Sequence, residues 1–171
     1  TGTVELPTRT DDKLVQGDEK VDLSIKGVTG GEQYENLDTS STTSTTVKDD
    51  ADETTITITL PENIVEGEAF DITVSVDTAP TEDLKITLSN GQTVTIKGGE
   101  NSATVSYTVP ADVFVQGERE FNVKVDKVEG GEQYENLNPN ASADTALDDR
   151  PTGQGDKVNI TLSSPENVVE G

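Results

Sequence analysis

The stretch FDITVSV at residues 70–76 decides the fold. Phe70, Ile72, Val74 and Val76 alternate with Asp71, Thr73 and Ser75, so apolar side chains share one face of an extended strand and polar ones the other. Working outward, Ile56, Ile58 and Leu60 alternate with threonines upstream, and Leu84, Ile86 and Leu88 lead through Asn90-Gly91 to Val94 and Ile96 downstream. Asn-Gly between alternating runs predicts a hairpin with a type I′ turn, because both residues tolerate positive φ. Ala103, Val105, Tyr107 and Val109 form a further run, Phe121, Val123 and Val125 another, and a short Thr/Ala segment at 143–147 the last. Seven short strands punctuated by turn signals predict an all-β, antiparallel β-sandwich of immunoglobulin-like type.

The same text occurs more than once. GGEQYENL stands at residues 30–37 and again at 130–137; PENIVEG at 61–67 returns as PENVVEG at 165–171. Leu14-Val15-Gln16-Gly17 matches Phe114-Val115-Gln116-Gly117, and Val21, Leu23 and Ile25 stand where Phe121, Val123 and Val125 stand. A fixed internal period marks one folding module per unit, and a period near 100 residues suits a string of small domains. The expected organisation is tandem sandwiches joined end to end, cut from a longer array. Residues 1–48 are the C-terminal half of a repeat, residues 49–147 a complete repeat, and residues 148–171 the start of the next. Three strands cannot close two sheets, so residues 1–48 are expected to lean on a neighbour or to pack poorly.

Charge narrows the function classes. Thirty-four Asp and Glu face twelve Lys and Arg with no His, a net charge of −22. A surface of that density repels itself and lacks the basic footprint that phosphate binding needs, so nucleic acid is excluded as a partner. No apolar run is long enough for direct membrane insertion. Without His or Cys there is no Ser–His–Asp or Cys–His arrangement and no ordinary zinc site. No phosphate-binding Gly-rich signature occurs, and a small Trp-free sandwich offers no cleft for paired carboxylates. The chain is not expected to be an enzyme.

Oxygen ligands in excess suit Ca2+, which takes six to eight of them. The first candidates are Asp49, Asp50 and Asp52 at the entry to the complete repeat. On an extended linker alternate side chains point the same way, so Asp50 and Asp52 can share an ion while Asp49 reaches elsewhere. The bland alternative is a solvated charge run, but Asp148-Asp149 repeats the doublet at the next boundary. Glu66 before Gly67, recurring as Glu170, is a second candidate, or else the cap of a turn. Glu135 and Asn136, with Glu35 and Asn36 in the earlier copy, form a third, unless only Tyr134 and Leu137 matter as anchors of the core. Asp77, Asp112 and Glu118 sit at strand ends where acids are common, with Asp12 loosely matching Asp112. The EF-hand spacing is absent.

Taken in order, ITLSNGQTVTI at 86–96, Gly98-Gly99-Glu100, Ala103-Thr104-Val105-Ser106, VFVQGE at 113–118 and GGEQYENL make the chain resemble the immunoglobulin-like extender repeats of RTX adhesins of Gram-negative bacteria. Val65-Glu66-Gly67 and the acidic boundary give a looser similarity to Calx-beta domains. The resemblance to extenders implies calcium-stabilised sandwiches stacked in line, exported by type I secretion to the cell surface, where they act in attachment and biofilm formation. It implies that the partners are calcium ions and neighbouring repeats, and that metal at the joints (Asp49, Asp50 and Asp52, then Asp148 and Asp149) stiffens the rod. The second joint is longer than the first, which sets the two apart. The ligand of the parent adhesin is not written in these residues.

Two other readings compete. A module that itself binds a carbohydrate or peptide would display exposed aromatic platforms, whereas all six aromatics fit the core pattern. An intracellular calcium sensor of Calx-beta type does not account for the array.

Overall fold

A computed structural model describes residues 2–151 and 157–171. Residues 19–48 contribute β1 (Glu19–Ser24) and β2 (Thr42–Val47), an antiparallel pair in which Val21 faces Thr45. No residue from 2 to 48 is buried: the described part of the fragment has no second sheet to cover these strands.

The complete repeat is a two-sheet sandwich. One sheet is ordered β10-β3-β5-β8, from β3 (Glu53–Thr59), β5 (Ala69–Val76), β8 (Ser102–Thr108) and β10 (Asn136–Asn138). The other is ordered β4-β11-β9-β6-β7, from β4 (Asn63–Val65), β6 (Leu84–Leu88), β7 (Thr93–Ile96), β9 (Arg119–Glu129) and β11 (Ser142–Asp148). All seven expected strands are present, and the sheets hold two more. β4 arises because Pro61, which has no amide to donate, ends β3 and lets the chain cross to the other sheet. There β4 pairs parallel with β11, as β10 does with β3, so two edge pairings depart from the otherwise antiparallel plan.

Alternation along the strands builds the core. Ile56 and Ile58, Ile72, Val74 and Val76, Leu84, Ile86 and Leu88, and Val94 and Ile96 are buried between the sheets with Val123 and Tyr134. Phe70 meets Tyr107 and Phe121 edge-on at centroid separations of 5.8 and 5.5 Å, joining β5, β8 and β9 at one end. The hairpin at Asn90-Gly91 forms, but not as a type I′ turn. Among the described residues no non-glycine has positive φ; within this hairpin Gly91 alone carries it, and its amide closes on the Leu88 carbonyl at 2.9 Å. A three-residue loop ending on a left-handed glycine fits the twist equally well.

GGEQYENL is a locking turn. Gly130 adopts φ +88, and a Cβ there would lie 2.6 Å from the Asp83 carbonyl oxygen. After the 3-10 turn Gly131–Gln133, the Gln133 Oε1 accepts the amides of Thr81 and Glu82 at 2.6 and 3.0 Å. The Tyr134 hydroxyl donates to the Thr78 carbonyl at 2.9 Å, and burial pushes the phenol up to about 12. Tyr134 and Leu137 both pack on the core, so the anchor role holds for them. Gly130→Ala is expected to lose about 2 kcal/mol, since left-handed strain adds to a backbone clash. Gly117→Ala, with φ +72 and open space around it, should lose only about 1 kcal/mol. Urea-unfolding midpoints of the two variants measure the difference.

Candidate metal centre

Where the half-repeat meets the complete repeat, the chain builds a seam from one antiparallel backbone bridge made of two hydrogen bonds. Leu14 bridges Tyr134 in antiparallel fashion: the Val15 amide donates to the Gln133 carbonyl at 2.9 Å, and the Glu135 amide donates to the Lys13 carbonyl at 3.1 Å. Lys13 Nζ reaches across to Asp77 Oδ2 at 2.9 Å and the Glu53 carbonyl at 2.7 Å. The loop that presents these residues is braced from within. Asp12 Oδ1 accepts the Leu14 amide at 2.8 Å while Oδ2 accepts Gln16 Nε2. Asp49 Oδ2 accepts the amides of Gln16 and Gly17 at 2.7 and 3.1 Å, and Arg9 pairs with its Oδ1 at 2.6 Å.

Beside this brace lie Asp11, Asp50 and Asp52, whose carboxylate oxygens fall within 4.8 Å of one another. Asp11 and Asp50 border a cleft of about 260 Å3 that is also lined by Asp12, Asp49, Gln16 and Lys48. Asp11 comes from the half-repeat; Asp50 and Asp52 lead into β3 of the next. Asp50, then Asp52, raise the Asp11 carboxyl above its ordinary value by like-charge repulsion. Glu135 Oε2 accepts the Asp52 amide at 2.8 Å. That hydrogen bond lowers the Glu135 carboxyl, but desolvation and the charges of Asp49, Asp50 and Asp52 outweigh it and the net direction is upward. A cluster whose own charges resist ionisation together is matched by a divalent ion with a preference for oxygen ligands.

The other expected ligands are placed differently. Asp49 turns away from Asp50 and Asp52 and spends its oxygens on amides and Arg9, which hold its carboxyl below the usual range, the Gln16 amide foremost. For Asp77 burial raises the carboxyl, but Lys13 and the Thr55 amide prevail and lower it. Glu66 is buried and paired with Arg119 Nη2 at 2.8 Å. Asn136 starts β10 opposite Glu53, with its side chain exposed. Glu35, Asn36 and Glu170 lie exposed, away from any described acidic cluster.

At the second joint Asp149 repeats the brace. Its Oδ2 accepts the amides of Gln116 and Gly117 at 2.5 and 2.8 Å, and Arg119 lies 3.6 Å from its Oδ1. Asp148 closes β11, and its carbonyl accepts the Glu66 amide at 3.1 Å. Around them, however, Ala111 stands where Asp11 stands and Arg150 where Asp50 stands. The Arg150 guanidinium packs on Gly67, filling the space a Cβ would need, close to Ala111. Among the described residues no acidic cluster forms there, and Asp156 lies outside them. Sequence reasoning passed over Asp11, because its counterpart is alanine. The Asp11-Asp12 doublet just before the repeated Leu14-Val15-Gln16-Gly17 was the available signal.

An all-β sandwich with an acid-lined seam against the segment that precedes it is the class of protein this geometry defines. Residues 52–150 match the LapA domain, and the chain belongs to that family, a family of biofilm adhesins. The complete repeat is thus an adhesin-related module associated with biofilm attachment, and an adhesin domain has its place outside the cell or on its surface. Among the described residues no helix is long and apolar enough to cross a membrane. No curated protein matches the chain. Among solved structures, the apo-form Calx CBD1 domain is similar at 11% identity and TM-score 0.42, covering 57% of this chain and 97% of its own. The CARDB domain of PF1109 from Pyrococcus furiosus is similar in solution at 19% identity and TM-score 0.36, covering 55% of this chain and 93% of its own. Its crystal structure in complex with di-metal ions is similar at 20% identity and TM-score 0.35, covering 55% of this chain and 91% of its own.

Proposed function

We propose that the chain is an extender segment of a large secreted adhesin, in which Ca2+ held at the seam stiffens the stack of repeats and projects a distal ligand-binding region. The observation that carries this reading is the convergence of Asp11 from one repeat with Asp50 and Asp52 from the entry to the next, within 4.8 Å. Asp11, Asp50 and Asp52 would hold the ion, with carbonyls and water completing a shell of six to eight oxygens. Glu135, bonded to the Asp52 amide, fixes the entry strand from behind. Without a cation the three charges push the two repeats apart; with one they hold them together.

The environment then sets the stiffness. Extracellular calcium modules work at about 10⁻⁴–10⁻³ M, so the seam is loose inside the cell and closes after export, by type I secretion from a Gram-negative bacterium as the resemblance to RTX extenders implies. At the second joint Arg150 stands in for the ion, so the cation acts on the first joint and not the second.

Small-angle scattering in millimolar calcium and in chelator tests the proposal. Calcium should lengthen the maximum dimension and remove the signature of a flexible joint. Superimposable profiles would count decisively against it.

A further inference from the structure

The seam described above uses one loop of the half-repeat, and the complete repeat carries the same loop with its apolar tip exposed. Asp112 Oδ1 accepts the Phe114 amide at 2.8 Å, its Oδ2 accepts Gln116 Nε2, and Asp149 Oδ2 accepts the amides of Gln116 and Gly117. These are the bonds that Asp12 and Asp49 make around Leu14, Gln16 and Gly17. In the first copy the braced tip, Lys13-Leu14-Val15, lies on Gln133-Tyr134-Glu135. In the second copy the tip is Val113-Phe114-Val115, and Phe114 is 70% and Val115 87% exposed. Three consecutive apolar residues held outward by a rigid hydrogen-bonded brace do not collapse onto their own core, and such a patch marks a contact surface.

We infer that Val113, Phe114 and Val115 form a docking tongue whose occupant is the Gln-Tyr-Glu turn of a following repeat. Residues 157–171 repeat 53–67 and so begin such a unit. The receiving surface is visible in this chain: a locking turn whose Gln133 carbonyl and Glu135 amide face the tongue and whose Tyr134 meets the apolar tip. Two differences define the second contact. Phe114 offers more apolar area than Leu14, and Val113 replaces Lys13, so the ion pair to Asp77 has no counterpart. The contact is apolar where the first is ionic. The inference rests on the tandem-array reading but does not depend on a cation.

The test adds a copy of residues 68–151 after Gly171, completing the unit that residues 157–171 begin, and compares amide hydrogen exchange with the present chain in millimolar calcium. Exchange at residues 113–116 should slow roughly tenfold in the lengthened protein, and Phe114→Asp should return it to the fast rate while leaving protection at Ile72 unchanged. Equal exchange in both proteins, or protection that grows with protein concentration (docking between copies), overturns the inference. A second measurement needs no added repeat. Lys13→Val with Leu14→Phe transplants the second tip into the first seat, where the Val15 amide should stay protected; its loss would mean the seat does not accept this tongue. A failure here with an intact calcium response in scattering removes the tongue alone, and the reverse result removes the cation alone.

Discussion

In millimolar calcium the chain is expected to melt about 5–20 °C higher than in chelator, and a variant carrying Asp11→Asn, Asp50→Asn and Asp52→Asn is expected to melt at one temperature in both. The size follows from mass action: an ion at ten to one hundred times its Kd stabilises the bound fold by about 1.4–2.7 kcal/mol. Each kcal/mol moves the midpoint of a domain this size by about 4–8 °C. Scanning calorimetry separates this from a general salt effect, because the variant should respond to sodium chloride as the parent does and to calcium not at all. In chelator the order should reverse, the variant melting above the parent, since the neutral side chains no longer repel.

Acidity provides an independent sign. The Asp11 carboxyl is raised in the folded chain by Asp50 and then Asp52, so the native state takes up a proton before the unfolded state does. Metal-free, its unfavourable contribution is full at neutral pH and is relieved as pH falls toward the ordinary carboxylate value of 3.8. Asp49, lowered chiefly by the Gln16 amide, runs the other way: its contribution is present above 3.8 and is lost as pH falls through its folded pKa. The calcium increment should therefore shrink on acidification, because protons compete for the cluster. A calcium-induced rise that survives the triple substitution, or that grows toward pH 4, would place the ion elsewhere.

The second large effect concerns Arg119. Replacing it with Met is expected to cost about 3 kcal/mol, because the Glu66 carboxylate, only 2% exposed, loses the guanidinium that pairs with it at 2.8 Å. Breaking a fully buried pair costs about 3–5 kcal/mol; the Arg119 side chain is 32% exposed, so solvent screening puts this pair at the low end. The midpoint should fall by roughly 12–24 °C. Adding Glu66→Gln should recover much of the loss, since a buried amide tolerates isolation better than a buried charge. Thermal unfolding of the two single variants and the double closes the cycle. If Arg119→Met alone costs under about 1 kcal/mol, the pair is no stronger than a surface one.

Glu66 illustrates where reading residues in order fell short. Its place between Val65 and Gly67 at a turn marked it as a ligand, but the partner that claims it, Arg119, lies 53 positions away in β9. Asp49 is similar: adjacency to Asp50 put it in the acidic set, whereas the fold turns it to the amides of Gln16 and Gly17. Phe114 and Tyr34 satisfied the apolar pattern and are nevertheless 70% and 58% exposed. Phe114 is exposed because its loop is braced outward, and Tyr34 because residues 2–48 form no core to receive it. Asp50 and Asp52, two positions apart on the entry segment, do bring their carboxylates together, as alternation along an extended chain allows.

Period-two patterning alone determined that the complete repeat is a β-sandwich, because strand geometry assigns a face to each residue without reference to any distant one. The hundred-residue echo is equally plain in the sequence, and modules in series are what it leads one to expect. Which acids meet was decided only in three dimensions. Carboxylates 39 and 41 positions apart in the chain, Asp11 with Asp50 and with Asp52, come within 4.8 Å only because the Lys13–Val15 tip seats on the Tyr134 turn. Charge acts through space, and the chain's order does not encode that distance.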